Sequence, residues 1–214
     1  MTYLKILSIF IIAFTLNIPV SSFAEIEKEY YPNGKLKAER NLINDKLEGI
    51  SRLYFENGKI ETEANFADGQ ADGFARTYYE SGKLNSETNF VKGEQEGTTR
   101  QFYENGSLRL EINYKKDQLE GISRKYFENG SLLWFERNYK NNKLEGISRE
   151  YNADGQLHAE DHYKNDKLEG ISKIYDNEGQ IRYITRYKNG RKINRKAYDK
   201  DGKLKFDFDY PPPE

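Results

Sequence analysis

The stretch LEGISRLYFENGKIETEANFADG, residues 47–69, returns as LEGISRKYFENGSLLWFERNYKN at residues 119–141. Its recurrence decides the fold. Setting the glycine of each Asn-Gly-like step as position zero gives the series Gly34, Gly58, Gly82, Gly106, Gly130, Gly155, Gly179 and Gly202. The spacing is 24 residues, apart from one interval of 25 and a last one of 23. A second series, Gly49, Gly73, Gly97, Gly121, Gly146 and Gly170, precedes each following zero by nine residues. Self-similarity at a fixed period of this size means an array or solenoid.

Each unit repeats one pattern. An aromatic residue stands at −4 (Tyr54, Tyr78, Phe102), a base at −6 (Arg52, Arg76, Arg100), an aliphatic at +2 (Ile60, Leu84, Leu108) and a ring or leucine at +8 (Leu42, Phe66, Phe90). Alternation of period two around a turn-forming glycine reads as strand, turn, strand, so each unit is a β-hairpin. A two-residue type I′ turn requires positive φ at both central positions, which suits Ser81 and Glu178 poorly. A three-residue loop, type I followed by a left-handed glycine, asks this only of the glycine and accepts Pro32. The three-residue loop is preferred, and it sets −4 opposite +2. Positions −8, −6 and −4 are then expected to share a face with +2, +4, +6 and +8. The other face receives Glu at +5, Asn at +7, and the rings at −3: Tyr31, Phe55, Tyr79, Tyr103 and Phe127. From Asn152 onward the −3 position is polar, so the first part of the array is apolar on both faces and the rest on one.

The predicted fold class is all-β: about eight tandem hairpins of 24-residue period forming one long, twisted, single-layered antiparallel sheet. Sixteen strands at ~4.8 Å each make it roughly 75 Å long. The unit after Gly130 carries one extra residue before Tyr139, read as a β-bulge that re-aims Trp134 and Phe135. Residues 211–214 form a proline-rich tail that stops the sheet, since proline donates to no further strand.

Residues 1–24 differ from the array. Lys5, an apolar run from Ile6 to Ile18, and small residues at Ser22 and Ala24 match an export signal cleaved after Ala24. The apolar run falls short of the ~20 residues of a membrane span. The expectation is an exported protein, periplasmic, cell-surface or secreted, with residues 25–210 as the repeat array. Apolar residues at 36% are too few for a thick core, so a thin sheet is favoured. Charged residues at 32% with a net charge of −1 show no basic excess, which argues against nucleic acid as a partner. The chain has no cysteine, so stability rests on repetition rather than disulfides.

The grammar YFENGKIETEANFADGQADG and NYKNNKLEGISREYNADGQL resembles the bacterial variant of the MORN repeat, an antitoxin-like repeat family, over residues 26–210. The resemblance implies tandem hairpins in a long sheet, and binding or scaffolding rather than catalysis. Eukaryotic relatives imply contacts with membrane lipids and proteins, and the antitoxin label implies neutralising a toxin. The last unit departs from the pattern, with Ile193-Asn194 where others have Glu-Gly.

No catalytic, metal or cofactor site emerges. His158 and His162 flank Glu160, but residues four apart on a strand lie roughly 13 Å apart, too far for one ion. Arg at −6 and Glu at +5 recur evenly and read as surface charge pairs. The expected function is an exported, non-enzymatic protein-binding surface. The alternatives are binding of envelope lipid or glycan, and neutralisation of a toxin. No small-molecule substrate is expected. Candidate partner-binding residues are Tyr31, Phe55, Tyr79, Tyr103, Phe127, Trp134 and Phe135.

Overall fold

In the computed structural model, which describes residues 24–212, all strands join one antiparallel sheet. Of its 21 strand segments, five pairs, such as Lys46–Leu47 and Gly49–Tyr54, are halves of one strand interrupted at a Glu-Gly step. The sheet thus has sixteen strands. They pair in chain order from Ala24–Tyr30 to Leu204–Asp209, and among the described residues the two end strands do not pair with each other. Residues 1–23 of the expected export signal and residues 213–214 of the tail lie outside the described residues.

Two kinds of turn alternate along the array. At the zero glycines, Gly58 N donates to Phe55 O at 2.8 Å and Phe55 N donates to Lys59 O at 2.8 Å, with Gly58 at φ 89. This is the expected three-residue loop with its left-handed glycine. Between units the chain turns in two residues, both left-handed, as at Asn44 (φ 51) and Asp45 (φ 62). Asn and Asp tolerate that region, whereas Lys92 and Lys116 occupy it against their preference.

The expected sharing of faces is overturned just past each loop. Tyr54 does stand opposite Ile60, but the register then shifts: Leu53 pairs with Thr62 and Arg52 with Glu63. Glu61 is the residue skipped. A bulge of this kind sets two residues against one and reverses the alternation beyond it. Bases at −6 therefore share a face with Glu at +5 and Asn at +7, while +4, +6 and +8 go with −5 and −7. A second expectation also changes. The extra residue before Trp134 enlarges the loop rather than the strand: Phe127 N donates to Leu132 O at 2.9 Å, one residue later than in other units. Leu133, not Leu132, opposes Tyr126, and Tyr139 falls opposite Gly121 in the ordinary register.

The face bearing the bases is a charge ladder. Each glutamate lies in register between the base of its own hairpin and that of the next, as Glu63 does between Arg52 and Arg76. The contacts include Arg52–Glu63 at 3.4 Å, Arg76–Glu63 at 3.7 Å, Arg76–Glu87 at 3.7 Å, Arg100–Glu87 at 3.5 Å and Arg100–Glu111 at 3.1 Å. Further along, Arg124–Glu136 at 2.8 Å and Arg149–Glu160 at 3.1 Å continue it. A single exposed pair contributes at most about 1 kcal/mol. The continuous row fixes the strand register, because a slip would set apolar residues against charges. Glu63, whose side chain is 12% exposed, also accepts the Tyr78 hydroxyl at 2.8 Å. Burial, then the bond to Glu63, pushes the Tyr78 hydroxyl's pKa up. The ladder breaks at Ile184 and resumes with Lys196–Asp207 at 3.2 Å.

The opposite face holds what core there is. Ala38, Ala64, Thr99, Ser123, Ser172, Thr185 and Ala197 are buried, and all lie on this side; no large side chain is fully buried among the described residues. These small residues recur at mid-strand, with the rings at +8 on the same face.

The Leu-Glu-Gly element acquires a physical account. Gly49 (φ 71) opens a second, wider bulge, which Asn41 closes by donating from Nδ2 to Ile50 O at 2.7 Å. The adjoining Glu48 accepts from Asp68 N, in the next inter-unit turn, at 2.9 Å. Glu96, Glu120, Glu145 and Glu169 repeat this contact with Lys116, Asn141, Asn165 and Asn189. In the sixth unit His162 replaces the asparagine, with Nδ1 at 2.8 Å from Ile171 O.

Candidate partner-binding surface

The rings at −3 begin the loops on one long edge of the sheet. Their side chains are half-buried, and the tyrosines among them have a definite task. Tyr31, Tyr79 and Tyr103 donate their hydroxyls to the backbone carbonyls of Tyr54, Phe102 and Tyr126 in the following hairpin, at 2.6, 2.7 and 2.8 Å. The structure thus places three of the seven candidate residues as ties between neighbouring units. Phe55 keeps the same position without a hydroxyl.

The remaining three candidates come together. Trp134 stacks on Phe127 with ring centroids 5.6 Å apart and planes at 19°, and its ring lies 6.3 Å from that of Phe135 at 55°. The enlarged loop and the bulge after it turn Phe127, Trp134 and Phe135 to the small-residue face. Two cations crown the cluster: Lys125 Nζ stands 3.9 Å from the Trp134 ring centroid, and the Arg137 guanidinium carbon 4.2 Å from that of Phe135. Such contacts over exposed rings are worth about 0.5–1 kcal/mol each. Trp134 nevertheless stays 36% exposed. Beside the cluster a shallow cavity of about 70 Å³ is lined by Phe135, Arg137, Ser148, Glu150, Asp161 and Tyr163.

Sequence reasoning missed Lys125 and Arg137. The signal lay in their positions: in the second to fourth units these slots hold Leu53, Thr77 or Gln101, and Ala64, Thr88 or Ile112, and in the first Glu29 and Arg40. Only in the fifth hairpin do two bases coincide there with two neighbouring rings. The array is chemically suited to recognition, since aromatic rings with cations beside them offer apolar contact and charge together. His158 and His162 do not converge, because His162 closes the bulge and His158 is exposed.

A sixteen-stranded open sheet of self-similar hairpins defines a tandem β-repeat protein. The model of the MORN repeat variant matches residues 26–44, 47–68, 72–92, 95–116, 119–141, 144–165 and 168–189, and the chain belongs to this family. The eighth hairpin, which departs from the pattern at Ile193-Asn194, falls outside the matched segments. A comparison with curated proteins gives no match. Repeats of this family serve in general as modules that bind proteins or membranes.

Proposed function

We propose that the protein is an exported, non-enzymatic scaffold that binds a protein partner through the aromatic cluster of its fifth hairpin. The observation that carries this reading is the exposed Trp134, stacked on Phe127 and flanked by Lys125 and Arg137. Large aromatic anchors beside arginine are where binding energy concentrates, and among the described residues only this hairpin gathers three rings with two cations over them. Of the other −3 rings on the loop edge, Tyr31, Tyr79 and Tyr103 are held by hydroxyl ties. The amino-terminal segment, with its apolar run and Ser22 and Ala24, supports export.

The test is affinity capture of the protein from envelope extract, with Trp134→Ala and Phe135→Ala set beside Tyr103→Phe. The ring deletions are expected to abolish capture of the partner that Tyr103→Phe retains. Equal capture by all three variants contradicts the assignment. The mass of the protein recovered from the envelope decides export: a start at Glu25 is expected.

A second reading, envelope lipid or glycan, is favoured by the inter-unit turns. In the second half of the array these carry Lys115, Lys116, Lys140, Lys143, Lys164 and Lys167 along one edge. Co-sedimentation with anionic vesicles or cell-wall material, lost on replacing these lysines and insensitive to Trp134→Ala, identifies that mode.

A further inference from the structure

We infer that the last strand, Leu204–Asp209, is a self-complementary edge on which two copies of the protein join around a two-fold axis at Phe206. This strand pairs on its inner side with Arg191–Tyr198, and no described residue pairs with its outer side. Phe206 and Phe208 are 48% and 51% exposed, and Leu204 47%. Pro211 follows the last paired residue, so the outer backbone groups of residues 204–209 remain open. Tyr210 N donates inward to Ile193 O. Successive residues of a strand alternate the side to which they donate, so the N–H and C=O groups of Asp207 and Asp209 point outward.

Register selects the arrangement. A two-fold continuation of the sheet keeps like faces together, so its axis passes through a residue. Centring on Lys205 sets two lysines against each other, and centring on Asp207 sets two aspartates. Centring on Phe206 pairs ring with ring. It places Lys205 opposite Asp207 of the second copy, a charge pair that occurs twice; beyond Lys205 the bulge turns Leu204 to the other face, so the matched segment runs from Lys205 to Asp207. Lys205 is the bulge residue of its strand, and its flexible stem reaches the carboxylate from there.

The other end of the sheet lacks this property. In Ala24–Tyr30, centring on Ile26, Glu27 or Lys28 opposes glutamates drawn from Glu25, Glu27 and Glu29. Joining the two ends head to tail, in the register by which Ala38 meets Leu53 within the array, sets Asp207 against Lys28 but Phe206 against Glu29. Edge charges ordinarily keep strands apart; on the last strand their order matches its own reverse. The site is separate from the aromatic cluster, so this inference stands independently of the partner-binding reading.

The test uses the full chain, which has no cysteine. Sedimentation across a concentration series is expected to show a monomer–dimer equilibrium, reached at high concentration because one strand pair falls below the ~1,000 Å² of a strong interface. Lys205→Glu, which opposes Asp207 twice, is expected to weaken dimerisation by roughly tenfold or more. The charge swap Lys205→Glu with Asp207→Lys restores it, with folding checked by circular dichroism because Asp207 also contacts Lys196. As an independent readout, Phe206→Cys is expected to form a disulfide-linked dimer on mild oxidation, the two Cα atoms of a non-hydrogen-bonded pair standing about 4.5 Å apart. A monomer at every concentration overturns the inference. So does cross-linking of Phe206→Cys to Glu29→Cys in a mixed sample, which marks head-to-tail joining.

Discussion

The first five hairpins and the last three share one loop and differ in how far its side chains reach. In the first group the −3 tyrosines reach forward, Tyr31 to Tyr54 O, Tyr79 to Phe102 O and Tyr103 to Tyr126 O. Asn57 and Asn105 reinforce them by donating to Glu80 O and Glu128 O in the next loop, each at 2.9 Å. In the second group Asn152, Asp176 and Asp199 turn back on their own loops. Asp176 Oδ1 accepts from Glu178 N and Gln180 N at 3.1 and 2.8 Å, and Asp199 Oδ1 from Asp201 N and Lys203 N at 3.0 and 2.8 Å. The turn closes on itself in both regions, since Asn33, Asn57 and Asn105 also accept from Lys35, Lys59 and Ser107 N, but only in the first region is it tied to its neighbour as well. In a linear array stability is the sum of unit terms and neighbour terms, so the change at Asn152 removes a neighbour term.

The strongest way to break the comparison lies at its boundary. In the fifth loop Gly130 packs so closely on the fourth that a Cβ there would stand 2.5 Å from Ser107 Cβ, whereas Gly58 has nothing within 4 Å. Both glycines are left-handed, so alanine is strained at either. Gly130→Ala is expected to cost about 3 kcal/mol and Gly58→Ala about 1 kcal/mol, by denaturant titration. Next comes the tie itself. Tyr103→Phe should cost about 1 kcal/mol by removing one half-buried hydroxyl bond. Asp176→Ala should cost a similar amount, but only Tyr103→Phe should reduce the coupling between hairpins, read as a broader, less cooperative transition.

Alkaline titration sharpens the same contrast less strongly. Burial, the largest cause in each case, raises the pKa values of Tyr78, Tyr126, Tyr163 and Tyr187. The folded state holds these protons longer than the unfolded chain, so their contribution is complete below the ordinary tyrosine range near pH 10. It is lost as pH rises through the folded values. Melting temperature is therefore expected to be level through neutral pH and to fall above about pH 10, with Tyr78→Phe removing part of the decline. The smallest effect belongs to an inter-unit turn, whose tie to Glu96 runs through the Lys116 N–H and outlasts a change of side chain. Lys116 sits at φ 50, and Lys116→Asn should add about 0.5 kcal/mol.

Turn chemistry made much of this architecture legible from sequence. Pro32, the asparagines and the zero glycines dictate the three-residue loop locally, and the 24-residue period follows from it. The faces were not legible by alternation, because the bulge beside each loop removes one residue from the count and sends Arg52 to the side of Glu63. The clue was the charge pattern: bases and acids that recur in every unit form a continuous row only if they share a face. Among the candidate residues, Phe127, Trp134 and Phe135 do meet. Tyr31, Tyr79 and Tyr103 share a sequence position with Phe55 and Phe127, which conceals that their hydroxyls are the working part. Lys125 and Arg137 stood out only once the register brought them over the rings.

Native-state amide hydrogen exchange, resolved by hairpin, tests the division most directly. The account predicts that strands from residue 36 to residue 126 exchange together through one large opening. The hairpins after Asn152 should open separately, and sooner. Tyr103→Phe should split the first group near residue 103. Uniform exchange along the whole sheet, or slower opening after Asn152 than before it, would contradict the claim that the loop ties couple the first hairpins and not the last.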